Sequence, residues 1–105
     1  MVSETEIRAI VDKIVEEFHP EKVILFGSYA YGTASEDSDV DLLVVMPFEG
    51  NPVWKAVEII NKIHPRIALD LLVRSKEVIK QRIEWDDFFL MEIMNKGKEI
   101  YASDN

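Results

Sequence analysis

The chain has no cysteine. That excludes a disulfide scaffold, cysteine-ligated zinc and a thiol nucleophile, and it is compatible with a reducing cytoplasm, the expected location. Nowhere do 18 apolar residues run together, so nothing reads as a membrane-spanning helix. The start, MVSETEIRAI, carries acids early and no apolar h-region, which argues against a secretory signal. Basic residues are scarce: 12 Lys+Arg stand against 20 Asp+Glu, a formal net charge of −8. Phosphate contacts supply most of the non-specific affinity for nucleic acid, so no direct nucleic-acid binding is expected of a chain this acidic. Only four glycines and four prolines are present, with no linker, repeat or low-complexity tract. The expectation is one domain over residues 1–105 with a thin but real core.

What is present alternates between helical and extended patterns. Ser3-Glu4-Thr5-Glu6 reads as a capping box ahead of Ile7, Ile10, Val11, Ile14 and Phe18, which predicts a helix over 3–18 ended by His19-Pro20. Lys22–Phe26 is a buried strand, broken by Gly27-Ser28, and residues 29–38 form a short turn and a loop. Val40–Met46 is a second strand. A helix over 53–63 starts at Asn51 or Pro52, and a third strand spans 67–73. Ser75 caps a helix to about Ile83, a last helix runs from Trp85 to Asn95 with Gly97 as its C′ residue, and Ile100-Tyr101 adds a short extended piece. This order predicts a small mixed α/β domain, a central mixed sheet with helices packed on it.

One constellation carries chemistry. Phe26-Gly27-Ser28 is followed by ten residues and then Asp39-Val40-Asp41-Leu42. Strand residues i and i+2 share a face roughly 7 Å apart, so Asp39 and Asp41 project together. Two like charges beside an apolar strand are costly without compensation, and a divalent ion is the natural compensation. Asp70, inside Ile67-Ala68-Leu69-Asp70-Leu71-Leu72-Val73, offers a third carboxylate. Gly27 lets a ligand approach the backbone, and amides at the start of a helix opened by Ser28 would suit phosphate. Carboxylates for metal next to amides for a triphosphate describe a nucleotidyl-transfer site.

These residues carry a resemblance. Gly27-Ser28, a ten-residue spacer, Asp39-Val40-Asp41 and a later Asp70 resemble the DNA-polymerase-β-like nucleotidyltransferase superfamily, and the run ILFGSYAYGTASEDSDVDLLVV is similar to its minimal nucleotidyltransferase antitoxins. The resemblance implies that Asp39 and Asp41 bind two Mg²⁺ ions (Mn²⁺ as a substitute), with Asp70 on the ion that activates the acceptor. It implies that Gly27 and Ser28 hold the β- and γ-phosphates of ATP. It further implies AMP transfer to a tyrosine of a HEPN-domain RNase toxin, as the antitoxin of a type VII-like pair. Where many relatives carry arginine in the loop, this chain has Tyr29 and Tyr31.

Two other classes fit the same residues. One is a non-catalytic antitoxin acting by binding alone, and the other a small-molecule nucleotidyltransferase that needs a homo-oligomer to complete its acceptor pocket. Retention of all three acids with Gly27-Ser28 favours the enzyme. Away from this segment the plain readings prevail. His19 and His64 cap helices, Trp54, Trp85, Phe88 and Phe89 pack a core or an interface, and Glu84–Asp87 is a solvated helix start. Arg74 and Lys76, just past the third strand, could reach a nucleotide phosphate but read first as surface cations, and Met91 and Met94 form an apolar stripe with Phe88 and Phe89, either for a partner or for internal packing.

Overall fold

In the computed structural model, which describes residues 1–104, five helices pack against one four-stranded sheet. Helix α1 (Glu4–Phe18) begins in the expected capping box: the Ser3 hydroxyl accepts from Glu6 N at 3.1 Å, and Glu6 Oε1 accepts from Ser3 N at 3.1 Å. It ends at His19, whose φ of 49° turns the chain into Pro20. Strand β1 (Lys22–Phe26) follows, then the one-turn helix α2 (Ser28–Tyr31) and strand β2 (Val40–Val45). Asn51 caps α3 (Pro52–Ile63) by accepting from Val53 N at 2.7 Å. Strand β3 (Leu69–Arg74), α4 (Lys76–Glu84), α5 (Phe88–Lys96) and β4 (Lys98–Ala102) complete the order.

The strands lie in the order β3-β2-β1-β4. β1 runs antiparallel to β2 and β4, whereas β2 and β3 are parallel. The sheet is therefore mixed, as the sequence pattern predicts. Strand alternation divides the core in two. Val23, Leu25, Val40, Leu42, Val44, Leu71 and Val73 face α1 and α3, meeting Ile7, Val11, Ile14, Ile59 and Ile63. Ile24, Phe26, Leu43 and Val45 face α4 and α5, meeting Ile79, Leu90 and Ile93. A strand period of two also dictates where the acids go: Asp41, in phase with Leu43 and Val45, is on the α4–α5 face. No helix among the described residues is long and apolar enough to cross a membrane.

Three local expectations need correction. The last helix starts at Phe88, not Trp85. The Trp85 amide folds back onto Gln81 and Arg82 carbonyls, Asp86 takes φ 60°, and Asp87 becomes the N-cap, accepting from Leu90 N at 3.1 Å. The acids 84–87 thus straddle a boundary, and the one with a free amide three residues ahead wins the cap. Gly97 is not left-handed: its φ is −66° and its ψ 161°. It is glycine because a Cβ would overlap Ile93 O and come within 2.6 Å of Ile24 Cγ2, where β4 crosses close to β1. β3 begins at Leu69 rather than Ile67, because the chain bends at Arg66 and Ile67 and first bonds to β2 through Ala68 O, which accepts from Val40 N at 2.9 Å.

Candidate active site

Asp41 stands at the centre of the candidate site because both neighbouring strands deliver a residue beside it. In the antiparallel register it is opposite Phe26, the residue before Gly27, and in the parallel register it is opposite Asp70. Residues in register on adjacent strands share a face, with the strands roughly 4.8 Å apart, so the Asp41 and Asp70 carboxylates rise side by side. Asp41 is half-buried, whereas Asp39 and Asp70 are exposed. Burial raises the Asp41 carboxyl from 3.8 to about 6, helped by the charges of Asp70 and Asp39 and by a hydrogen bond with Asp70. None of the three acids forms an ion pair with a Lys, Arg or His among the described residues. Like charges are gathered here without a cation from the protein.

Gly27 is tied to Asp41 more directly than the sequence revealed. Its φ of 72° and ψ of −157° belong to a region that side chains avoid, and a Cβ there would overlap Asp41 Oδ2, with Asp41 Cγ at 3.0 Å. Sequence reasoning reserved the open side of Gly27 for a ligand, but Asp41's carboxylate already reaches into it. Past the glycine, the amides of Ala30 and Tyr31 return to Gly27 O at 3.0 and 3.1 Å. Those of Ser28 and Tyr29, first in the turn, have no intrahelical acceptor. The Ser28 hydroxyl has no protein partner among the described residues. Tyr29 is directed away, with its hydroxyl accepting from Val2 N at 3.0 Å and its ring against the α1–α3 core. Tyr31 is exposed.

The donor chemistry fits a hard divalent cation: three carboxylates, mutual repulsion that a cation relieves, and no competing lysine or arginine. The side chains are not gathered as a finished cage, for no group of three or more His, Cys, Asp or Glu among the described residues is placed to hold an ion. Asp41 and Asp70, opposite each other in the parallel register, form the close pair, and after burial the Asp70 charge is the main reason the Asp41 carboxyl is raised.

Other candidates fall elsewhere. His19 and His64 are exposed helix C-caps at the far ends of α1 and α3, with φ of 49° and 48°. The core reading of the aromatics is incorrect. Trp54, Trp85, Phe88 and Phe89 are 71%, 66%, 73% and 55% exposed. Met91 and Met94 are half-buried, Met94 against the α4–α5 core. Phe89 still touches the site, stacking edge-on to Phe26 with ring centroids 5.9 Å apart. It also walls a cavity of about 460 Å³ on the same sheet face, between β3, α4, the start of α5 and the turn before α3. Leu72 and Arg74 contribute to its lining, and they continue the alternation that begins at Asp70. Arg74 is thus half-buried against a cavity, not the surface cation its position suggested, while Lys76 is exposed. Counting in twos along β3 was the available signal.

A family model described as a nucleotidyltransferase domain matches residues 6–100. Two Methanocaldococcus jannaschii proteins whose names propose a protein adenylyltransferase are similar to the chain. One is 28% identical over 105 residues, covering 96% of this chain and 100% of the relative; the other is 39% identical over 82 residues, covering 76% and 78%. Among solved structures, a Sulfolobus solfataricus protein named as a proposed nucleotidyltransferase superposes with a TM-score of 0.67 at 20% identity, covering 96% of this chain and 81% of that one. A toxin–antitoxin complex with AMP-PNP superposes with a TM-score of 0.53 at 20% identity, covering 92% and 74%. At that identity these two structures share the fold.

Proposed function

The chain belongs to the nucleotidyltransferase domain family, and on that premise we propose that it moves AMP from ATP to a hydroxyl of a protein acceptor. The observation that carries this reading is the Asp41–Asp70 pair set in register beside the Gly27-Ser28 turn, with no protein cation to neutralise it. A pure binding module has no use for that electrostatic arrangement. The names of the two adenylyltransferase relatives support a protein acceptor. The toxin–antitoxin neighbour with AMP-PNP supports ATP as donor and a toxin as the acceptor, which we take to be a tyrosine of a HEPN-type RNase.

Asp39, Asp41 and Asp70 would hold Mg²⁺, which when bound neutralises the triphosphate and lowers the pKa of the attacking hydroxyl. The Ser28 hydroxyl and the amides of Ser28 and Tyr29 bind the β- and γ-phosphates, since no arginine stands in the loop. Gly27 allows the Asp41 carboxylate to reach this turn. The acceptor oxygen forms a bond to the α-phosphorus as the bond to the α–β bridging oxygen breaks. Pyrophosphate leaves with that electron pair, and the hydroxyl proton passes to Asp70, the carboxylate on the open edge strand. A net charge of −8 counts against extension of a nucleic-acid template.

Mass spectrometry tests the reading. The neighbouring gene's product, incubated with ATP and Mg²⁺, should gain the mass of one or more AMP groups with the wild-type chain. Asp41→Asn should bind that partner equally and lower the transfer rate by orders of magnitude. Equal neutralisation of the partner by both proteins, with no mass gain in either, would leave binding alone as the function.

A further inference from the structure

Arg74 is an unusual cation in this chain. Of the 12 Lys and Arg residues, only Lys55 and Arg74 are half-buried, and the other ten are exposed. Lys55 is paired, with its Nζ 3.3 Å from Glu58 and over the Phe18 ring. Arg74 has no acidic partner among the described residues. Its one bond runs from Nη1 to the carbonyl of Val73 at 2.7 Å, which pins the guanidinium and leaves its other donors free. It lines the 460 Å³ cavity together with Leu72, Phe89 and Arg82, and Arg82 is already held by Asp87 at 3.1 Å. A fixed guanidinium without a counter-ion, in a cavity of ligand size with an aromatic wall, is a built site for a planar anion.

Strand order says which reactant comes here. This step rests on the transferase reading above. Across the sheet face the turn after β1, Asp41 on β2 and Asp70 on β3 lie in sequence. Displacement at phosphorus is in line, so the entering oxygen lies opposite the leaving pyrophosphate. Pyrophosphate over Gly27-Ser28 therefore places the acceptor on the β3 side. On that side, two and four residues beyond Asp70 along the same face, are Leu72 and Arg74 of the cavity.

We infer that this cavity is the acceptor subsite, and that it takes an extended acidic segment of the acceptor protein. The modified hydroxyl lies at Asp70 and a carboxylate of the same segment forms a bidentate pair with Arg74. Asp70 and Arg74 are four strand residues apart, roughly 13 Å at 3.3 Å per residue. An extended segment covers that span in about four residues, so the acid should stand three to five positions from the hydroxyl. Phe89 supplies the apolar wall beside it.

The probe is a set of tyrosine peptides with a single Glu moved from two to seven positions on either side, each matched by a Gln peptide. Labelling with α-labelled ATP and Mg²⁺ should peak at three to five positions on one side and fall ten- to a hundredfold in the Gln partners. Arg74→Gln should erase the preference through KM, and Arg74→Lys should restore part of it, while melting and affinity for a non-hydrolysable ATP analogue stay within twofold of wild type. A preference that survives in Arg74→Gln overturns the assignment. So does a tenfold loss of nucleotide affinity in Arg74→Gln, which would make the cavity the nucleotide's own. ATP binding with labelling absent or indifferent to the acid sinks the subsite alone; a wild-type chain that binds no ATP sinks the transferase reading itself.

Discussion

Replacing Gly27 with alanine separates backbone strain from the contact that links the turn to the carboxylates. At φ 72° and ψ −157° the backbone is in a region nearly reserved for glycine, a cost of roughly 1–3 kcal/mol for any side chain. The new Cβ also overlaps Asp41 Oδ2. The carboxylate must swing aside from its resting rotamer, a further loss of about 1 kcal/mol. A domain of this size loses roughly 4–8 °C of melting temperature per kcal/mol, so about 3 kcal/mol in all is a fall of about 12–24 °C. Gly32→Ala is the control, because Gly32 has φ 79° with nothing within 4 Å of a built Cβ and costs only its backbone term, roughly 1–2 kcal/mol. The decisive assay is a double-mutant cycle by thermal or urea melting. In an Asp41→Ala background the Gly27→Ala penalty should shrink by about 1 kcal/mol. Strict additivity of the two substitutions would refute the contact as the reason for glycine at this position.

Three further outcomes are expected. Burial and the neighbouring acids raise the Asp41 carboxyl from its ordinary 3.8 to about 6, so the folded state keeps a proton that the unfolded state releases between those values. The contribution of Asp41 to stability therefore falls as pH rises from about 4 to 6. Asp41→Asn should melt higher than wild type at about pH 7.5, with the difference closing near pH 4; a difference constant across that range would contradict the shift. Millimolar Mg²⁺ should raise the wild-type melting temperature, and chelation by EDTA should reverse the rise; an equal rise in Asp39→Asn/Asp41→Asn would place the ion elsewhere. Ser28→Ala removes a hydrogen bond to a charged group, so calorimetry with an ATP analogue should show affinity lowered about 10- to 150-fold, or roughly 1.5–3 kcal/mol, and unchanged affinity would mean the turn does not touch phosphate.

Local chemistry made much of this protein legible in advance. The capping box at Ser3 and Glu6, the prolines after His19 and His64, and the caps at Asn51 and Ser75 each act within four residues, so the elements they bound could be read directly. Strand alternation placed Asp39 and Asp41 on one side, and the Gly27-Ser28 spacing to Asp39 pointed to the chemistry. Where local signals competed, as among Glu84, Asp86 and Asp87, the outcome depended on backbone turns that no single residue dictates. Long-range pairing decided the rest. That Asp70 meets Asp41 follows from the parallel register of β2 and β3, set by strands 29 residues apart and by the packing of α3 between them. That Gly27 makes room for a carboxylate follows from the antiparallel register of β1 and β2. That Arg74 lies half-buried, and Phe89 edge-on to Phe26, follows from α4 and α5 covering only part of one sheet face. Alternation along a strand assigns a side chain to a face, but only the neighbouring strands and helices determine what stands beside it there.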